Sequence, residues 1–285
     1  MAKLTYGIIG HPVKHSLSPE MQNAAFNALG IDAEYSTFDV EPADLEKFLD
    51  GLLISDKIKG LNVTIPHKIK AKEYLERKGK LDEGAKKLGA VNTIKVSADG
   101  LCGYNTDGAG FYRSLVEDLK FEPEGRTIFV LGAGGAASAV VMYLGNAPQR
   151  IYVHDVDGKK IEDLKSRYGK YYDARRFIPV KDLALQDEAL EGSDLLVNAT
   201  PIGMNGSDPS PVDSSFLHAG MHVYDLVYNR STTELVKQAQ RTKCHAVTGL
   251  GMLLYQGAIA FEIWTGKNAP VDVMRKALKE ALKNG

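Results

Sequence analysis

Two periods of apolar residues organise the chain. Leu61-Asn62-Val63-Thr64-Ile65 alternates apolar with small polar side chains, the period-2 pattern of a strand with two unlike faces. Asn62 and Thr64 share one face; Leu61, Val63 and Ile65 share the other, which the pattern turns into packing. Pro66 stops that strand and suits the first turn of a helix. Lys68 falls in the same turn, where the positive end of the helix dipole repels an ammonium. The surrounding residues 1–107 read as a small α/β unit. Strands are expected at 6–10, 35–40 and 58–65, and helices at 18–29, 42–53, 69–78 and 81–88, the first opening on Ser18-Pro19-Glu20 with Ser18 as its cap. Strands 91–96 and 101–105 flank Asp99-Gly100 and end the unit on a hairpin.

Past residue 107 the texture changes. A helix over 108–119 and the linker Glu122-Pro123-Glu124-Gly125 lead into Thr127-Ile128-Phe129-Val130-Leu131, a continuous apolar run of the kind buried on both faces. Further strands at 151–154, 177–180, 195–198, 223–227 and 245–247 alternate with helical segments at 159–168, 187–190 and 233–241, which predicts a doubly wound parallel sheet. Helices over 252–264 and 271–282 close the chain and are expected to return to the first unit. The predicted fold is therefore α/β with two domains, 1–107 joined by 249–285, and 108–248.

Directly after the 127–131 strand, Gly132-Ala133-Gly134-Gly135-Ala136-Ala137 opens a helix. In a G-x-G-x-x-G/A loop so placed, Gly132 allows the tight turn and Gly134 lets backbone approach a diphosphate. Ala137 keeps helix close to strand, and the helix N-terminus offers N–H groups to the anion. Gly132, Ala133, Gly134, Gly135 and Ala136 are thus candidate dinucleotide contacts in a Rossmann-type domain. Asp155, 23 residues after Gly132, ends the next strand, where an acid accepts from an adenosine ribose 2′-hydroxyl and repels a 2′-phosphate. NAD is the expected cofactor and NADP the less favoured one. Asp157 is open to two readings: a second negative charge there, or a turn or helix cap beside Gly158.

Composition removes several classes. The 285 residues are 44% hydrophobic and 25% charged, with a formal charge of −1, so nothing electrostatic favours nucleic acid or an anionic membrane. No signal-peptide core is visible at the N-terminus, and no run approaches the roughly 18 apolar residues of a membrane span. A cytoplasmic enzyme is the default expectation. Cys102 and Cys244 lie far apart without C-x-x-C spacing, and Gly220 separates His218 from His222, so neither a disulfide framework nor a metal site is expected.

Outside the sheet domain, Ser16, Ser18, Asn62, Thr64, Asn92 and Gln256 supply uncharged donors and acceptors, Lys68 an ammonium and Asp107 a carboxylate. That set suits a small polyhydroxylated acid. With His15-Ser16-Leu17-Ser18-Pro19, Asn62-Val63-Thr64-Ile65-Pro66-His67-Lys68, Gly89-Ala90-Val91-Asn92-Thr93, Gly103-Tyr104-Asn105-Thr106-Asp107-Gly108, the glycine loop, Asn198-Ala199-Thr200-Pro201-Ile202-Gly203-Met204 and Gly251-Met252-Leu253-Leu254-Tyr255-Gln256-Gly257-Ala258, the chain resembles the shikimate dehydrogenase family and its quinate-oxidising relatives nearly end to end.

The resemblance implies an N-terminal substrate-binding and catalytic domain, a small-molecule substrate held between the two domains, and a monomer or homodimer. By resemblance, Lys68 and Asp107 form the pair that carries proton transfer, while Ser16, Ser18, Asn62, Thr64, Asn92 and Gln256 hold the substrate carboxylate and hydroxyls, with Tyr228 near the carboxylate. Thr200, Met204 and Gly249 join the cofactor contacts in the same way. Two departures stand out. NADP-using members carry Asn-Arg-Thr where this chain has Asp155-Val156-Asp157, which supports NAD, and Arg230 stands where Tyr-Asn-Pro is common, with no consequence derivable from sequence. The expected activity is an NAD-preferring interconversion of shikimate and 3-dehydroshikimate. A quinate or dual-specificity dehydrogenase is the alternative, and a dinucleotide-binding sensor without turnover is the rival from another class.

Overall fold

The computed structural model describes residues 3–54, 57–181 and 183–284. It divides into two compact units, one formed by 1–106 with 254–285 and the other by 107–253. In the first, β1 (Leu4–Gly10), α1 (Ser18–Ala28), β2 (Ala33–Asp39), α2 (Leu45–Ile54), β3 (Ile58–Val63), α3 (Lys68–Lys78), β4 (Lys80–Leu81), α4 (Glu83–Leu88), β5 (Thr93–Ser97) and β6 (Gly100–Tyr104) follow in order. The sheet runs β2-β1-β3-β5-β6-β4, with β1 parallel to β2 and β3, and β5 antiparallel to β3 and β6.

One face of this sheet packs Ile9, Leu61, Val63 and Ile94 against Leu45, Leu49 and Leu52 of α2 and Ala71, Tyr74 and Leu75 of α3. The other face carries Tyr6, Tyr35 and Asn62. It is covered by aromatic residues of the returning C-terminal segment: Trp264 lies 5.4 Å from the Tyr6 ring and 6.1 Å from Tyr35, and its indole N–H donates to the Ile94 carbonyl at 3.0 Å. Both faces are therefore apolar-lined, and Asn62 sits inside rather than on a wet rim.

The second unit begins with α5 (Asp107–Glu117) and continues through β7 (Thr127–Leu131), α6 (Gly135–Leu144), β8 (Arg150–His154), α7 (Gly158–Gly169), β9 (Phe177–Pro179), α8 (Leu183–Glu191), β10 (Leu195–Asn198), β11 (His222–Asp225), α9 (Glu234–Arg241) and β12 (His245–Thr248). The division between units falls within α10 (Leu250–Thr265), and α11 (Val271–Asn284) ends the chain and packs on α1. The sheet order β12-β11-β10-β7-β8-β9, all parallel, reverses direction between β7 and β10. Strands β7 and β10 are almost wholly apolar because helices cover both sheet faces.

Three local expectations need correcting. Ser18 is the first helical residue of α1 and makes no cap hydrogen bond; the cap position belongs to Leu17. Pro66 lies in a turn ahead of α3 rather than in its first turn, with His67 at the cap position and Lys68 opening the helix. Ile65 is 74% exposed, because β3 stops at Val63 and the alternation no longer governs the residues beyond it.

Candidate active site

In the first unit the polar motif residues gather at one edge of the sheet. Ser16 and Ser18 follow the carboxyl end of β1, Thr64 and Lys68 follow β3, Thr106 follows β6, and Asn92 precedes β5, which runs the opposite way. Backbone bonds set this edge: Thr64 N–H donates to Ile9, Val63 N–H to Asn92, Asn92 N–H to Tyr104, and Val91 N–H to Lys68, at 2.7–3.0 Å. Lys68 is partly exposed and opens α3, which places its side chain at the positive end of a helix. His67 behind it is fully buried. Its Nε2 faces the Val40 carbonyl at 2.7 Å, which requires the proton on Nε2, and its Nδ1 has no partner.

A buried hydrogen-bond network underlies these residues. Asn62 Nδ2 donates to the Asn92 carbonyl at 3.2 Å and to Thr93 Oγ1 at 3.1 Å, while Asn62 Oδ1 accepts the Tyr35 hydroxyl at 2.7 Å. Both amide hydrogens of Asn62 are committed within the protein, which makes it part of the framework of this edge. Asn92 is turned differently: its Oδ1 accepts the Thr106 N–H at 2.8 Å and its Nδ2 donates to Thr106 Oγ1 at 3.0 Å. Gln256 lies on α10 next to Gly257, whose carbonyl accepts from the fully buried Gln22 amide at 2.9 Å. Tyr35 and Gln22 carry no signal in the sequence beyond their place in apolar elements, whereas Thr93 and Thr106 stand in the same motifs as Asn92 and Asp107.

In the second unit, the glycine turn and the 199–208 loop leave adjacent strands at the point where the strand order reverses, the usual ligand edge of such a sheet. Gly132 has φ +97°, and a side chain there would come within 2.9 Å of the Ala199 carbonyl oxygen. Gly134 and Gly135 face open space, and no side chain caps the first turn of α6. Ala133 N–H donates to Asp155 Oδ2 at 2.7 Å and Asp157 N–H to Asp155 Oδ1 at 2.8 Å, so the carboxylate holds the glycine turn by its backbone. Asp157 caps α7 through the Lys159 N–H, the second of its two readings.

The loop after β10 is tied down by buried groups. Asn198 donates to Asp225 Oδ1 at 2.9 Å and to the Ile202 carbonyl at 3.0 Å, and accepts from Thr200 N–H at 3.1 Å and Thr200 Oγ1 at 2.7 Å. Asp225 also accepts from Val227 N–H and Thr233 Oγ1. Burial pushes its carboxyl above the ordinary range, and the bonds from Thr233, Val227 and Asn198 oppose that shift. Farther along, Arg230 Nε and Asn229 Nδ2 both donate to the Met204 carbonyl at 3.1 Å, and Asp208 accepts the N–H groups of Gly203 and Asn205. Arg230 thus fastens the loop that carries Met204, a function a proline at that position cannot perform. Met204 and Tyr228 are exposed, and Gly249 N–H donates to the Val227 carbonyl beside Tyr228. Asp107 opens α5.

Two family models match the chain, the shikimate dehydrogenase substrate binding domain over residues 8–94 and the shikimate 5′-dehydrogenase C-terminal domain over 249–279. A protein of Methanopyrus kandleri named shikimate dehydrogenase (NADP(+)) is 43% identical over 97% of this chain and 95% of its own length. This chain belongs to the shikimate dehydrogenase family. Its fold agrees with that of a shikimate dehydrogenase crystallised with NADP+ (TM-score 0.89, 38% identity, 98% of this chain and 96% of the other). It agrees equally with a quinate dehydrogenase from Corynebacterium glutamicum in complex with NAD (TM-score 0.89, 30% identity, 98% and 99%). The expected preference for NAD over NADP is corrected by these shikimate dehydrogenases, one named for NADP(+) and the other bound to it. The physical reason is in the turn: Asp155 has a structural task in holding backbone N–H groups, so its presence does not by itself report a bare ribose. Among the described residues no cluster of metal-ligating side chains occurs, and no helix is long and apolar enough to cross a membrane.

Proposed function

We propose that this chain interconverts shikimate and 3-dehydroshikimate, oxidising or reducing one ring carbon with a nicotinamide dinucleotide, and that the phosphorylated form serves it. The observation that carries the reading is the family's ordered set of polar residues at one edge of the first unit's sheet, Ser16, Ser18, Thr64, Lys68 and Asn92, in a chain 43% identical to a shikimate dehydrogenase. The cofactor, when bound, supplies the hydride chemistry. The residues present fit it: the strand-to-helix turn needs glycine at 132, is open at 134 and 135, and leads to helix N–H groups without a side-chain cap, which suits a diphosphate. Gly132, Ala133, Gly134, Gly135, Ala136, Thr200, Met204 and Gly249 would hold it.

On the substrate side, a secondary alcohol that loses hydride must also lose its hydroxyl proton. Lys68 takes that proton in oxidation and returns it in reduction, with Asp107 as its charge partner. Ser16 and Ser18 serve the carboxylate-bearing end, and Thr64, Asn92 and Gln256 the ring hydroxyls, with Tyr228 near the carboxylate. A quinate dehydrogenase is the second reading, favoured by the fold shared with the C. glutamicum enzyme. The test is the nicotinamide absorbance change with shikimate or quinate and each cofactor. Turnover of shikimate with a higher kcat/KM than quinate is expected, and no absorbance change with either acid and either cofactor refutes the proposal.

A further inference from the structure

Gln22 is fully buried on α1, on the face that also carries Ser18 one turn earlier. Its Nε2 donates to the Gly257 carbonyl of α10 at 2.9 Å, a bond between residues 235 positions apart, both in the first unit. A carbonyl can only accept, so the NH2 of Gln22 faces Gly257 and its oxygen faces away. Among the described residues that Oε1 is buried and meets no donor. Packing does not call for this amide. A buried acceptor without a donor costs stability, and a methionine of similar length would fill the space between two helices without one.

The position of the bond gives it a use. A helical carbonyl already accepts the N–H four residues on, and the Gln22 NH2 takes the second lone pair of the one at Gly257. A backbone carbonyl cannot turn independently of its helix, so this bond fixes both the height of α10 on α1 and its rotation. Gly257 permits the approach: a side chain there would run into Met21 Cε and come within 3.3 Å of Gln22 Nε2. Farther along the same helix, the bond from the Trp264 indole to the Ile94 carbonyl holds the other end at 3.0 Å. Gln256 is 8% exposed, directly precedes Gly257 and takes its direction from that turn.

We infer that Gln22 is a positioning residue: by its bond to the Gly257 carbonyl it sets the turn of α10 that presents Gln256 to the substrate's ring hydroxyls. The inference rests on the proposed function and deepens it. Gln22 acts on substrate affinity through Gln256 and not through a contact of its own.

The experiment measures KM and kcat for shikimate in the parent, Gln22→Met, Gln256→Ala and the double variant, together with melting temperatures. In Gln22→Met the shikimate KM rises by about threefold to tenfold, the range that one neutral hydrogen bond spans. kcat and the dinucleotide KM stay within about twofold, the pattern of binding lost equally from ground and transition states. The melting temperature holds or rises, because an unpaired acceptor has gone with the bond. A purely structural Gln22 would lower the melting temperature and leave the KM alone, and a smaller rise in KM overturns the inference. In the Gln256→Ala background, Gln22→Met moves KM by less than about twofold. Two effects that multiply in full would mean that Gln22 acts elsewhere, and they overturn the inference as well. Gln22→Leu repeats the test in a second shape; if neither variant folds, Gln22 is a residue of stability alone and the inference falls. A parent that turns over neither shikimate nor quinate sinks the proposed function instead, and in an active parent the KM comparison judges Gln22 alone.

Discussion

Replacing Asn198 by alanine tests whether the loop after β10 is held by its buried network. The side chain is fully buried and makes four hydrogen bonds, one of them to the Asp225 carboxylate. A bond to a charged group contributes about 1.5–3 kcal/mol and a neutral one about 0.5–1.5. Thr200 is partly exposed and Ile202 exposed, so water replaces much of what their groups lose. Asp225 is fully buried and has no such recourse, which leaves a net loss of about 2–4 kcal/mol. The loss also depends on pH. Burial already holds the Asp225 carboxyl above its unfolded value, and losing the Asn198 bond raises it further. A carboxyl raised in the folded state contributes fully below the unfolded value, near about 4, and loses that contribution as pH rises through the folded value. The deficit of Asn198→Ala is therefore largest near neutral pH and narrows on acidification. Urea unfolding of parent and variant at pH 7 and at pH 5 reads both quantities. A variant within about 0.5 kcal/mol of the parent at pH 7, or a deficit that widens at pH 5, refutes the reasoning.

Lys68→Ala should lower kcat by about 10²–10⁴ with an unchanged melting temperature, and a loss within about threefold would remove Lys68 from proton transfer. Gly132→Ala places a side chain at φ +97° and 2.9 Å from the Ala199 carbonyl oxygen; calorimetric titration should show dinucleotide binding weakened at least several-fold, and unaltered binding would deny the turn its role. Burial, the largest influence, holds the His67 imidazole below its ordinary value, so its contribution is present above the unfolded value and lost as pH falls through the folded one. His67→Gln should accordingly lose less stability than the parent between pH 7 and pH 5, measured by urea midpoints; parallel curves would contradict that.

Where a physical pattern was local, the sequence carried it. The continuous apolar run 127–131, the glycine turn behind it and the following alternation specify the parallel sheet, and the structure has that sheet in the doubly wound order. The Asp99-Gly100 signal marks the β5–β6 hairpin. What the sequence could not carry is the partner of each polar atom. An aspartate at the end of β8 reads the same whether it faces a ribose or the N–H groups of Ala133 and Asp157, and only the fold distinguishes them. Ser18 before Pro19 reads as a cap, yet the helix starts one residue earlier than that reading places it, with Leu17 at the cap position and Ser18 already helical. Arg230 had no consequence until the Met204 carbonyl was found within its reach.

The same point bears on which residues of the site select its substrate. Asn62 and Asn92 look alike as motif asparagines, but the backbone groups around them fix opposite orientations. Asn62 is held by the Asn92 carbonyl with both its hydrogens turned inward, and Asn92 is held by the Thr106 N–H with its oxygen turned inward. A ligand meets only the donors and acceptors that such bonds leave over.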